Sequence, residues 1–446
     1  MKPTVVIGAG AAGLVAAAFA GTPEHPAVLV ERTTDGGRKI LISGGGRCNV
    51  LPAALEPERF ITASPAHLLR HMLRAWPLEH QKRFFEEELR VPLTFEADSR
   101  KYFPASDRAR DVRDALVSFA KRRGVQLQFD TSVRNIARAG DGWQVETSRG
   151  VIEAGAVIVA TGGLSVPATG SDGAGLRFAA TLGHRVHDLY PALTPLVASP
   201  PVHASLSGPS LDVRIRAKWK GRTRVAEGGF LFTHHGYSGP AVLDISDMVT
   251  RVRNKTGSEP FSTETANLGT EVSASSVPKL ARSVENGSDP VRDPVLRVQW
   301  GDLDAEAWEP LLTRGVGHVA SLLGASLPER LVDQLMREAH VPADRRVSDL
   351  RRSERLSLVE HLTSYALPWT GDEGFKKAEV TGGGVALDEV HLKTLESRLA
   401  PGLFFCGEVL DAFGPIGGHN FAWAWATGRT AGKAALGQRT QGKGQR

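Results

Sequence analysis

Cysteine is scarce in this chain. Among 446 residues only Cys48 and Cys406 carry a thiol, and they lie far apart. No CxxC occurs, so a disulfide framework is excluded, and the absence argues against a dithiol–flavin reductase. A reducing, cytoplasmic setting is the expectation. Long apolar runs are missing too, and no uninterrupted stretch could span a bilayer. Met1-Lys2 and the Ala-rich run behind it imitate a secretory signal. Glycines interrupt that run, and Glu31 closes a strand rather than marking a cleavage site, so export is not expected. The charge balance is mild, at +5, and Arg439, Lys443 and Arg446 of the Gln/Gly-rich tail supply three of those charges. Such a tail reads as a solvated end, and nucleic acid is not an expected partner. The chain also lacks a GxSxG, a P-loop, a Ser/His/Asp signature and any His spacing that would hold a metal.

What is present begins at residue 4. Thr4 to Ile7 is a β-branched run, followed by Gly8-Ala9-Gly10-Ala11-Ala12-Gly13, an Ala-rich helical segment, and a second apolar run ending in Glu31. Strand, Gly-rich turn, helix, strand and acid, in that order, make a dinucleotide-binding fingerprint. Gly8 permits the tight turn, Gly10 admits a pyrophosphate, and Gly13 lets the helix pack close to the sheet. The helix N-terminus offers free N–H groups to the phosphates, and Glu31 can accept from a ribose hydroxyl. Gly36-Gly37-Arg38-Lys39 follows closely, and its two cations can neutralise the pyrophosphate. The run Ser43 to Asn49 contributes Gly45, Gly46, Arg47, Cys48 and Asn49. So many glycines let backbone run along a flat, extended ligand.

The first 190 residues alternate strands and helices. Residues 64–90 and Asp107 to Lys121 carry helical spacing, and the second of these places Val112, Ala115, Leu116 and Phe119 on one face. Strands are expected at Gln126–Phe129, Gly142–Thr147 and Val157–Ala160. The last ends in the small-residue turn Thr161-Gly162-Gly163, which lets a cofactor pass close to backbone. Arg32 and Val133 complete the expected lining. From Tyr190 the texture changes to Pro-punctuated antiparallel strands, at Leu211 to Trp219, Gly229 to Thr233 and Val295–Trp300. Residues 253–294 read as a long flexible loop. Residues 305–369 read as a small helical subdomain. After Lys377 the α/β texture returns, so 1–190 and 370–446 would form one discontinuous nucleotide-binding domain around a β-rich insertion at 191–304.

Two late segments carry chemistry. Cys406-Gly407-Glu408 to Asp411 is a strand end followed by acids, and Glu408 or Asp411 could bind ribityl hydroxyls. Gly417-Gly418-His419-Asn420 opens the last helix, whose N–H groups would stabilise negative charge at a flavin ring. Trp423 and Trp425 lie two apart on that helix and so face different sides. In the middle block, His234, His235 and Tyr237 are the polar groups that could supply a proton. Two adjacent histidines on a strand cannot both face one site.

GRKILISGGGRCNV (37–50), YFPASDRARDV (102–112), ATGGLSVPATGSDGAG (160–175), FTHHGYSGP (232–240), VTGGGVALDE (380–389) and FCGEVLDAFGPIGGHNFAWAWATGRTAG (405–432) together resemble the HI0933-like flavoproteins. These are also known as aminoacetone-oxidase-family or BaiN-type NAD(P)/FAD-dependent oxidoreductases. The resemblance implies an α/β fold, with FAD on a discontinuous Rossmann-like domain, a β-rich insertion and a helical subdomain. It also implies that Gly8, Gly10, Gly13, Glu31, Arg38, Lys39, Gly46, Arg47, Gly162, Gly407, Glu408, Asp411 and Asn420 fall on cofactor-lining blocks. Two departures stand out: His419 replaces an aromatic common in the family, and 253–294 is longer than the usual connection. The implied activity is hydride transfer between flavin and a small organic substrate. No second strand–GxGxxG–helix unit exists, so NAD(P)H would dock only transiently. A tRNA-modifying flavoprotein and a non-catalytic FAD-binding protein remain as alternatives.

Overall fold

Short β-branched strands make the central sheet. A computed structural model describes residues 2–208, 210–219, 221–254 and 293–441. Its five-stranded sheet runs Leu403–Phe405, Ala156–Val159, Thr4–Ile7, Ala27–Val30, Gln126–Gln128, and every pair is parallel. The three inner strands are apolar and fully buried because both faces are covered. Val157 pairs with Leu403, so the end of the chain completes the sheet begun at Thr4.

Helix Ala11–Ala20 is buried on nearly every side. Small residues permit this, because the C-terminal helix, His419–Gln441, lies almost in backbone contact with it. A β-carbon added at Gly428 would sit 2.4 Å from the Ala12 carbonyl oxygen, and one at Gly432 would sit 2.3 Å from that of Ala16. Helix Ala109–Arg122 buries Val112, Leu116 and Phe119 as its spacing predicts, while Ala115 is half-buried.

The middle of the chain forms a second body. Its seven-stranded antiparallel sheet is centred on Ser210–Trp219, flanked by Arg222–Phe232 and Val295–Trp300. Helices Ala305–Arg314, Val319–Gly324, Glu329–Glu338 and Arg352–Thr363 cover it. Sheet and helices share one apolar core around Phe230, Trp300, Trp308 and Leu335.

Three segments read from the sequence find their place in the fold. Gly142–Thr147 belongs to an antiparallel meander with Val133–Ala139 and Gly150–Ala154, not to the parallel sheet. Val380–Val385 likewise pairs antiparallel with Val186–Ala192. Periodicity identifies a strand but not its partner, and so could not distinguish these cases. The loop expected over 253–294 lies, apart from its ends, outside the described residues.

Candidate functional site

The Gly-rich turn opens a cleft at the C-terminal ends of the parallel strands. Its three glycines do different work. Gly8 has φ +99° and packs against Ala160, where a β-carbon would lie 2.7 Å from the carbonyl oxygen. A β-carbon on Gly13 would meet the Gly8 carbonyl oxygen at 1.8 Å. Gly10 differs from both, because a β-carbon there meets nothing within 4 Å. Its missing side chain leaves an open cradle at the uncapped N-terminus of helix Ala11–Ala20.

Glu31 organises this turn. One carboxylate oxygen accepts from Ala9 N–H at 2.8 Å, and the other accepts from the Thr33 N–H and hydroxyl, each at 2.8 Å. Arg38 is held by Asp35 at 2.8 Å and Thr34 at 2.9 Å. Lys39 reaches Ser165 Oγ at 2.5 Å and Glu408 at 2.8 Å. Glu408 also accepts from Ser165 Oγ at 2.7 Å and Thr381 N–H at 3.0 Å. Burial acts to raise the Glu408 carboxyl, but Lys39, Ser165 and Thr381 outweigh it and hold the group below the usual carboxylate range.

Of the residues singled out from sequence, Gly8, Gly10, Ala11, Ala12, Glu31, Arg38, Lys39, Thr161, Gly162, Glu408 and Asn420 line this cleft. Arg32 and Val133 line its continuation beside Glu31. Trp423, not singled out as a lining residue, lines it too. It donates from Nε1 to the Gly407 carbonyl at 3.1 Å, while Trp425 donates to that of Val50 at 3.1 Å.

Other candidates are placed elsewhere. Asp411 turns away from the cleft: one of its oxygens accepts from Thr62 Oγ1, Ala63 N, Ser64 N and Ser64 Oγ at 2.8–2.9 Å. It fastens the 62–64 loop rather than facing a ligand. Gly407 packs on Ala12, where a β-carbon would lie 2.6 Å from the alanine's own. Gly45 and Gly46 are exposed, and Arg47 pairs with Asp107 at 2.8 Å and Glu96 at 3.1 Å. Asn49 lies against Gly44. Cys48 is fully buried, and burial pushes its thiol up to about 12, so it is no nucleophile at neutral pH. His234 and His235 are exposed. Tyr237 is buried in the second body, bonded through its hydroxyl to His203 Nδ1 at 2.9 Å. None of these three reaches either cleft.

A second cleft separates the two bodies. Arg59, Lys101, Gly417 and His419 line one wall, and Asp212, Glu227, Pro240 and Asp244 line the other. Consecutive residues at the start of the C-terminal helix line the two clefts: Asn420 the first and His419 the second. The loop before that helix is tight. Gly417 and Gly418 have φ +97° and +96°, and a β-carbon on Gly418 would strike Leu51 backbone at 2.6 Å. Asn420 closes the loop by accepting from Gly414 N–H at 2.8 Å and donating to the Gly414 carbonyl at 3.0 Å. Among the described residues, no cluster of three or more His, Cys, Asp or Glu could hold a metal, and no helix is long and apolar enough to cross a membrane.

Comparison with known proteins agrees with this geometry. The chain is 29% identical over 426 residues to a ribosomal RNA dihydrouridine synthase of Escherichia coli (strain K12), covering 95% of each. It is 29% identical over 436 residues to a 3-dehydro-bile acid delta(4,6)-reductase of Clostridium scindens, covering 96% of this chain and 98% of that one. Among solved structures, a 3-ketosteroid-delta4-(5alpha)-dehydrogenase from Rhodococcus jostii RHA1 is 14% identical with a TM-score of 0.47, covering 97% of this chain and 96% of its own. The model of the HI0933-like protein Rossmann domain matches residues 2–434. A match of that extent, on a chain whose parallel sheet and glycine turn have the matching form, places it: the chain belongs to the HI0933-like family of FAD-dependent oxidoreductases.

Proposed function

We propose that this protein uses FAD to reduce a carbon–carbon double bond conjugated to a carbonyl in a small organic substrate. The observation that carries the reading is that neighbouring residues, His419 and Asn420, line the two clefts. A dinucleotide in the first cleft would be held beside the helix start that also lines the second. The residues suit FAD. The open cradle at Gly10 accepts a pyrophosphate, with Arg38 lining the same cleft. Glu31 keeps lone pairs for a ribose hydroxyl. The start of the C-terminal helix lies where a reduced, anionic ring would need donors. Bound FAD would supply hydride transfer, and the protein supplies orientation.

The relatives' names support the bond type. Dihydrouridine is uridine with one ring double bond saturated, and a delta(4,6)-reductase saturates ring double bonds of a 3-oxo steroid. Both bonds are conjugated to a carbonyl. A reduced nicotinamide is the expected donor, docking transiently.

The test uses protein reconstituted with FAD. Anaerobic mixing with NADH or NADPH should bleach the flavin band. Reoxidation is then followed against cyclohex-2-enone, a 3-oxo-4-ene steroid and a uridine-containing RNA. Rapid reoxidation by either enone supports the reading. Reoxidation by the RNA alone replaces it with an RNA-modifying role, and a flavin that no acceptor reoxidises leaves a binding protein.

A further inference from the structure

The cleft between the two bodies holds a carboxyl that a cofactor has no need of. Asp244 sits on the short helix Pro240–Ile245 and lines that cleft, its side chain 12% exposed. Ile416 N–H donates to Oδ1 at 2.8 Å, while among the described residues Oδ2 has only Arg59, at 3.9 Å. One oxygen is therefore fixed and the other is available.

His419 lines the same cleft and is 5% exposed. Its Nδ1 lies 3.2 Å from the Ile416 carbonyl oxygen. A carbonyl only accepts, so Nδ1 carries the proton. Nε2 is then a bare acceptor, and it has no hydrogen-bond partner among the described residues. A buried acceptor with nothing to accept points to a missing donor. Ile416 thus holds the acid by its N–H and sets the tautomer of the imidazole by its C=O.

We propose that Asp244 is the acid that protonates substrate carbon in the reduction, with His419 Nε2 accepting a hydrogen bond from the same substrate. This rests on the reductase reading of the site. The double bond gains a hydride at one carbon, which brings both electrons. The other carbon takes the Asp244 proton, leaving a carboxylate that cleft water reprotonates. A reduced nicotinamide restores the hydride donor.

The surroundings suit the role. Burial pushes the Asp244 carboxyl up to about 6, and Asp247 on the next helix adds to this. Ile416 N–H, Arg59 and Arg224 oppose it. Burial, with Arg59 and Lys101, pushes His419 down to about 4, so the imidazole stays neutral. His419 cannot be the acid, because its one proton already serves Ile416.

The test compares wild type with Asp244→Asn, which keeps an oxygen for Ile416. Both holoenzymes are reduced with dithionite and mixed anaerobically with cyclohex-2-enone. Wild-type reoxidation should slow as pH rises through about 6. The variant should lose pH dependence and run about 100-fold slower at pH 5.5. Asp247, Glu379 and Asp411 are also carboxyls held above their ordinary range, and Glu379 interacts with Asp244. The infrared arm therefore reads the wild-type minus variant difference of the FAD-free proteins, which should contain a carboxyl with midpoint about 6. Equal rates and pH profiles overturn the assignment, as does a wild-type minus variant spectrum titrating at an ordinary carboxylate pH. If no acceptor reoxidises wild type, the reductase reading fails, and the infrared arm still decides whether Asp244 holds its proton.

Discussion

Gly13 and the Gly8 carbonyl oxygen are so close that a β-carbon on Gly13 would lie 1.8 Å from that oxygen. Gly10, three residues earlier, faces open space. The same motif therefore contains one glycine that the fold requires and one that it does not. Gly13→Ala should fail to fold or lose several °C in Tm by calorimetry. Gly10→Ala should keep its Tm, because its φ of –75° suits alanine. Its FAD affinity should fall at least tenfold, measured by fluorescence titration. Equal behaviour of the two variants would refute the division.

Lys39 and Glu408 join segments 369 positions apart. Lys39→Met leaves Glu408 without its cation, and removing one partner of a half-buried pair costs about 2 kcal/mol or more. Urea denaturation should show that loss. The double variant with Glu408→Gln should recover part of it.

Asp244 also sets a pH dependence of stability. Its folded pKa, about 6, lies above the ordinary value of 3.8, so the folded state binds the proton more tightly. The favourable contribution is complete below pH 4 and is lost as pH rises through 6. Asp244→Asn should therefore be relatively more stable at pH 8 than at pH 4, by about 1–3 kcal/mol. Denaturation curves at the two pH values check the sign.

Tyr237 bonds to His203, which in turn meets Tyr365 at 3.0 Å and Glu338 at 3.4 Å. These groups tie the antiparallel sheet to helix Glu329–Glu338. Tyr237→Phe strands the His203 Nδ1 and should cost about 1–2 kcal/mol. Stopped-flow flavin reduction and reoxidation should remain unchanged, which separates Tyr237 from the site.

Much of the first cleft was legible in the sequence because its constraints are steric and local. The spacing of Gly8, Gly10 and Gly13 and the acid at Glu31 announce themselves within thirty residues. Glu408 was legible as an acid at a strand end, although its tie to Lys39 was not. Asp411, three positions after the lining residue Glu408, has the same local look, yet its partners are Thr62 to Ser64. Asp244 carries no motif. Its significance arises where helix Pro240–Ile245 meets Ile416, 172 positions later. The available signal was an acid set between Leu243 and Ile245, an ionisable group inside an apolar run. His234 and His235 drew attention by residue type alone, and an exposed loop explains them.

The docking of Gly428 and Gly432 onto Ala12 and Ala16 has a consequence for biosynthesis. During translation the amino-terminal turn emerges hundreds of residues before the helix that must seat against it. Until then the first helix exposes an alanine face with no counterpart, and the sheet lacks its Leu403–Phe405 edge. Nascent chains stalled before that edge should not capture coenzyme on the ribosome.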